Sequence, residues 1–347
     1  MIATLLRTGR TRRLFLPVTL ALGLAALAGA AGAAEPAPAK PPIVTAAESA
    51  LWWGDFGTLE RQNAEYRQPG RFNPDGTSQL DQFRSGLARV FNARIKNPEP
   101  YMLELDAMTL QWAQANPLSP FAHVLHARAL LAHGESYRGT GFAKDVSEDA
   151  WTIYSRYLNQ AAAYLKDHAE VALADSYAHY VLIRIGTGLG WTPAQLEVIA
   201  QQGLQRNPED GALPLAMVDR LLPKWGGDSK SLDAYIRKAA ANAHERSGAG
   251  LYAILYSKAE DEQYGKTLFE TSRADWDTMK RSYEDILARY PDSSPYRNRY
   301  AYMACIARDK PVLQRLLEQL GTQLRTDAWG SNPERTIETC RSWATQE

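Results

Sequence analysis

The chain has 347 residues, 39 Lys+Arg against 39 Asp+Glu, 45% hydrophobic and 22% charged residues, with 24 Gly and 19 Pro. This composition excludes global disorder and a collagen-like fibre, and the length suffices for one large or two medium units with a sizeable core. The first 34 residues hold Arg7, Arg10, Arg12 and Arg13 and no acid, so the remainder carries 35 bases against 39 acids, too acidic a balance for a nucleic-acid footprint.

In chain order, residues 1–13 are basic and polar, and Leu14 to Ala34 is an uncharged run rich in Ala, Leu and Gly that ends in Ala31-Gly32-Ala33. A basic start, an apolar stretch and an A-x-A site make residues 1–34 a secretory signal peptide, to be cleaved rather than kept as an anchor. Thr11-Arg12-Arg13-Leu14-Phe15-Leu16 resembles the twin-arginine export signal; the alternative is a general secretory signal with two adjacent Arg. Either route predicts a periplasmic or secreted bacterial protein without a stable membrane span. Residues 35–47, EPAPAKPPIVTAA, read as an extended Pro/Ala-rich linker.

From residue 48 to 347 the pattern is helical and reads as a single helical-repeat domain. Helices are expected near 48–53, 55–68, 78–95, 100–115, 119–133, 147–166, 169–185, 193–206, 211–221, 229–246, 250–268, 273–290, 295–308, 311–324 and 332–344. In 273–290, Trp276, Met279, Tyr283, Ile286, Leu287 and Tyr290 recur at three- and four-residue steps, one stripe of a helix. Gly or Pro lies at most junctions, and no alternating β-branched run is long enough for a sheet. The fold class is all-α.

The junctions resemble one another. Asn116-Pro117, Asn207-Pro208-Glu209-Asp210 and Tyr290-Pro291-Asp292 each precede a helix, which resembles tetratricopeptide-repeat punctuation. The prolines stand 91 and 83 residues apart, no multiple of the usual period of about 34, so the expected architecture is an irregular helical-hairpin solenoid. Two segments go further: Tyr137-Arg138-Gly139-Thr140-Gly141-Phe142, and Leu222-Pro223-Lys224-Trp225-Gly226-Gly227-Asp228. With Gly54-Asp55-Phe56-x-x-Leu59, they resemble a bacterial family of unknown function marked by an L-x-P-K-W-G-G signature, over roughly residues 55–290. That resemblance implies a tetratricopeptide-like fold and brings no catalytic residue.

Tyr137, Arg138 and Thr140 form one ligand-binding candidate, an irregular polar loop offering a guanidinium fork, a ring and permissive glycines. Lys224 and Trp225 form a second, with the alternative that Trp225 is a wedge between two hairpins. Asp175 and His179, four residues apart, suit either an oriented base or a helix-surface pair. His123, His126 and His133 share a helical stripe, but no metal-binding spacing such as H-E-x-x-H accompanies them. Gly265-Lys266-Thr267 lacks the earlier Gly of a P-loop, Asn73-Pro74-Asp75-Gly76 lacks the outer ligands of an EF-hand, and Glu260-Asp261-Glu262 reads as a solvated face. No catalytic residue, metal or cofactor is assigned.

Cys305 and Cys340 are the chain's two cysteines. They fall late in helices separated by one whole helix, and in a hairpin stack helices two apart are neighbours, so a disulfide is expected. The functional expectation is an exported scaffold that binds a protein or peptide partner in its concave groove. The alternative is a cell-envelope enzyme or small-ligand binder around Arg138, Lys224 and His179.

Overall fold

The computed structural model describes residues 41–346 except 94, 96, 140 and 142. The signal peptide, residues 35–40 of the linker and the Thr140 candidate lie outside the described residues. The described chain is all-α, and its only β feature is an isolated antiparallel bridge between Phe72 and Ser78.

The helices are α1 (Pro42–Trp52), α2 (Phe56–Tyr66), α3 (Gln79–Phe91), α4 (Pro98–Ala115), α5 (Pro120–Arg138), α6 (Glu148–Asp167), α7 (Ala169–Ala172), α8 (Ser176–Gly188) and α9 (Pro193–Arg206). There follow α10 (Ala212–Leu221), α11 (Ser229–Ser247), α12 (Leu251–Ala259), α13 (Leu268–Thr271), α14 (Trp276–Arg289), α15 (Ser294–Ile306), α16 (Lys310–Leu320) and α17 (Pro333–Thr345). Local chemistry starts them as expected: Asp55, Ser78, Ser119, Ser147, Asp175, Thr192, Asp228, Asp275, Ser293 and Asp309 each accept a backbone N–H in the first turn.

Four boundaries differ from the sequence expectation. Helix α1 begins at Pro42, so residues 42–47 belong to the helical body rather than to a linker. Helix α5 runs on through Gly134 to Arg138, which puts Tyr137 and Arg138 on its last turn and not in a loop. Gly134 does not end the helix: a Cβ there would stand 3.0 Å from Tyr157 Cβ, so the glycine lets α6 press close. The segment 169–185 breaks at Leu173–Asp175, and 250–268 breaks into a wide π-type turn, Glu260–Tyr264.

Consecutive helices pack together, as in α4–α5–α6, α8–α9 and α15–α16, and alternate helices also touch, as in α6–α8, α8–α10, α10–α12 and α12–α14. Two large apolar clusters result. One gathers Leu51, Phe83, Leu87, Phe121, Leu125 and Leu158; the other gathers Tyr256, Tyr283, Tyr300, Tyr302, Leu313 and Trp329. A smaller cluster of Ile183, Leu196, Leu213 and Met217 lies between them in sequence.

The segment between α2 and α3 ties the first half to the second. Gly76 takes φ +80°, and a Cβ there would fall 2.5 Å from the Tyr290 ring at the end of α14. Asp75 and Asn73 hold this tight turn through Thr77. Its tip therefore rests on Tyr290, and a concave space lies behind it. Near the C-terminus Cys305 of α15 is bonded to Cys340 of α17 across a Cα separation of 5.8 Å, with α16 between them in sequence.

Candidate functional site

The space behind that turn is a cavity of about 250 Å³. Helices α9, α10 and α11 supply one side of its lining, with Leu204, Leu215, Tyr235 and Ala239. Phe72 and Asp81, from the turn and first residues of α3, join Tyr290 and Tyr296 from the α14–α15 junction to complete it. The lining is largely aromatic and aliphatic with a few charged groups, the make-up of a ligand pocket.

Its carboxylates belong to a larger cluster. Arg84, almost fully buried, donates to Asp210 Oδ1 at 2.6 Å and to Ser176 Oγ at 3.2 Å, and lies 4.0 Å from Asp175. Its guanidinium sits 4.6 Å from the centre of the Tyr177 ring. Arg67 donates to Asp175 Oδ2 at 3.2 Å and Asn63 to the same oxygen at 2.8 Å. Burial opposes the charge on Arg84, but Asp210 and Asp175 outweigh it and raise its pKa. Asp81 is the third carboxylate of the group. Burial, then the charge of Asp210, push its carboxyl up to about 6, against the lowering pull of Arg84 and Ser78. Its Oδ2 is 3.2 Å from where a Cβ on Gly211 would stand, so it sits over the α9–α10 turn. Asp210 is 1% exposed, and its Oδ2 has no hydrogen-bond partner.

The residues singled out from sequence fall elsewhere. Tyr137 donates to Glu99, a bond that with burial raises the phenol to about 12. Arg138 bonds the carbonyls of Gly139 and Gly141, and its guanidinium lies 5.7 Å from the ring centres of both Trp151 and Trp225. Lys224 donates to Glu262 at 2.7 Å. Burial would raise Glu262, yet Lys224 and Lys258 hold it down at about 2. His179 is buried beside α9, Nδ1 unbonded, with its pKa lowered by burial. Arg138, Lys224 and His179 share no bonding partner.

Three readings are corrected. Trp225 is not an inter-hairpin wedge: it is 44% exposed on a 3-10 turn, Pro223–Trp225. The glycines after it are the structural part of that segment. Gly226 takes φ +81°, and a Cβ on Gly227 would lie 1.9 Å from the Leu221 carbonyl oxygen. Asp175 and His179 are not a surface pair, because both are buried. Nor is 260–262 simply a solvated face: Glu260, 2% exposed, accepts from Arg299 at 2.5 Å and from Tyr302 at 2.6 Å.

The histidine stripe on α5 resolves into separate contacts. His123 stacks on His168 with ring centres 4.3 Å apart and bonds Tyr164, and His126 bonds Thr109. His133 is fully buried between Asp106, 2.5 Å from Nδ1, and Glu99, 3.0 Å from Nε2, with the Tyr157 ring stacked at 4.0 Å. Among the described residues, no group of three His, Cys, Asp or Glu is placed to hold a metal.

Sequence reasoning missed Asp81 and Asp210. Asp81 follows the Ser78 cap as an ordinary first-turn acid, and Asp210 stands in a helix-junction turn, so neither carries a local signal. Their meeting depends on a tertiary contact over more than a hundred residues. No family model, curated protein or solved structure matches this chain.

Proposed function

We propose that this is an exported binding protein whose cavity between α9–α11 and the α14–α15 junction receives part of a peptide or protein partner. The observation that carries the reading is the cavity itself, about 250 Å³ and lined by Tyr235, Tyr290 and Tyr296. Tyrosines bury apolar area at low conformational cost and keep a polar tip, which suits them to recognition. The basic, apolar, A-x-A start of the sequence supports export, and the Cys305–Cys340 bridge fits an oxidising compartment. No helix among the described residues is long and apolar enough to cross a membrane. The irregular tetratricopeptide-like punctuation supports a binding scaffold.

A displayed peptide library selected on the purified protein tests the reading. Enriched peptides should lose binding to Ala239→Trp, which places a large ring in the cavity, and keep binding to Trp225→Ala on the outer turn. Peptides that bind Ala239→Trp as well as the unaltered protein would sink it.

A further inference from the structure

We propose that the cavity receives a single uncharged aromatic side chain of a peptide partner, with the hydroxyls of Tyr235 and Tyr296 donating to the peptide carbonyls beside it. This names the chemistry of the partner in the reading of the cavity as a binding site and rests on that reading.

The walls favour a ring. Phe72, Tyr235, Tyr290 and Tyr296 bring four aromatic side chains to one cavity of about 250 Å³. An apolar cavity of about 150 Å³ admits one benzene molecule, so this space holds a substituted ring and little more. Rings pack edge-to-face or offset against other rings with a gain beyond the area they bury, which favours an aromatic guest over an aliphatic one. Charge does not select the guest. Lys238 is tied to Glu197 at 2.6 Å, Arg84, outside the lining, holds Asp210 at 2.6 Å, and Arg289 lies 3.5 Å from Asp285. Asp81, Glu209 and Arg246 complete the charged lining, with both signs present. An ion entering here would give up water without a matched partner, which is costly.

The tyrosine hydroxyls point to what the ring is attached to. In the core of the second half, Tyr256 donates to Asp233 at 2.6 Å, Tyr300 to Glu284 at 3.1 Å and Tyr302 to Glu260 at 2.6 Å. Tyr283 shares a bond with Ser257, and Tyr252 accepts the Asp275 N–H. Tyr264 has no partner, and its hydroxyl is sealed from solvent. Tyr235 and Tyr296 differ from both groups: neither hydroxyl bonds a described residue, and neither is sealed, so each opens from the cavity lining. Burial, then the charge of Glu197, raises the phenol of Tyr235; burial, then Asp81, raises that of Tyr296. Both therefore stay O–H donors at neutral pH. A largely buried donor without an acceptor costs free energy, and a carbonyl oxygen of a guest meets that demand. An aromatic residue in a peptide carries a carbonyl on each side of its Cα, so it brings the ring and the acceptors together.

Ligand-observed NMR titration of the purified protein tests this with the N-acetyl methylamides of phenylalanine, leucine, lysine and glutamate. The phenylalanine probe should bind saturably and at least tenfold more tightly than each of the other three, and Ala239→Trp should abolish its binding. Tyr235→Phe with Tyr296→Phe keeps both rings and removes both hydroxyls. That variant should bind the phenylalanine probe at least fivefold more weakly while melting at the temperature of the unaltered protein or above it, because no described partner is lost. The proposal is overturned if the phenylalanine probe fails to bind, if leucine, lysine or glutamate binds as tightly, if Ala239→Trp still binds, or if the double Phe variant binds normally. Phenylacetamide, a ring and a carbonyl without a peptide, binding more tightly than the phenylalanine probe would overturn the peptide source. Library peptides that lose binding to Ala239→Trp yet carry no aromatic residue would overturn the aromatic guest alone and leave the binding-site reading standing.

Discussion

Replacing His133 with Gln removes the one cation between two carboxylates inside the helical body. The imidazole is fully buried, with Asp106 15% and Glu99 41% exposed at their side chains. Burial works against the imidazolium, but hydrogen bonds and charges from Asp106 and Glu99 outweigh it and raise the pKa of His133. Around it, Tyr137 of α5 donates to Glu99, Tyr157 of α6 stacks on the ring, and Arg156 lies near enough to help lower Glu99. Burial, by contrast, raises Asp106. Gln keeps one donor and loses the charge, leaving Asp106 buried beside a neutral amide. Breaking one side of a buried pair costs about 3 kcal/mol, discounted toward the low end here because Glu99 is open to water. That corresponds to about 5 °C in Tm for a chain of this size. The sign with pH follows from the direction of the shift. A histidine whose folded pKa is raised contributes its stability fully below its unfolded pKa, about 6.5, and loses it as pH rises through the higher folded value. The deficit of His133→Gln, measured by calorimetric melts, should therefore be largest at pH 6 and shrink by pH 9. Equal melting at pH 6, or a deficit that grows toward pH 9, would refute the assignment of a buried imidazolium.

The remaining predictions concern the C-terminal disulfide and the outer turn that carries Trp225. Cys305→Ser with Cys340→Ser opens a loop of 35 residues and should cost about 4 kcal/mol in the chain-entropy account; an unchanged denaturant midpoint would show that the bridge does not constrain the unfolded chain. Trp225→Ala should shift stability by less than about 1 kcal/mol, because the ring is half exposed and meets Arg138 only from one side; a cost of several kcal/mol in urea would restore the wedge.

What the sequence disclosed follows from the range of the interactions involved. Helices α14 and α16 were legible because their stripes of Met279, Tyr283 and Ile286, or Leu313, Leu316 and Leu320, face a core at helical period. Their starts were legible because a cap acts over three residues. Glycine misleads where its reason is tertiary: the expected helix stops at 133, yet α5 runs through Gly134, which answers to the approach of α6. The polar segment 260–262 misled for the same reason, since only the fold brings Arg299 and Tyr302 to Glu260. Arg138 and Trp225 were singled out as chemically unusual, and the fold does bring them together, as a cation beside a ring on the outside of the body.

The cavity shows the same division most sharply. Its walls need Asn73-Pro74-Asp75-Gly76 to be a tight turn, which the composition signals, and need that turn to reach Tyr290, which no local pattern encodes. A side chain at position 76 would meet the ring and also demand a positive φ, so glycine is required there twice over. Once the turn is seated, Asp81 is carried by the first turn of α3 to the α9–α10 junction, where Asp210 already holds Arg84. One structural contact thus both borders the space and brings Asp81 and Asp210 together in its lining. A scaffold serving only to pack helices would gain by an apolar or amide side chain at position 81, which would relieve that charge. The cavity lined by Tyr235, Tyr290 and Tyr296 holds this partly buried carboxylate, whereas at the Lys224–Trp225 turn the lysine is already paired with Glu262.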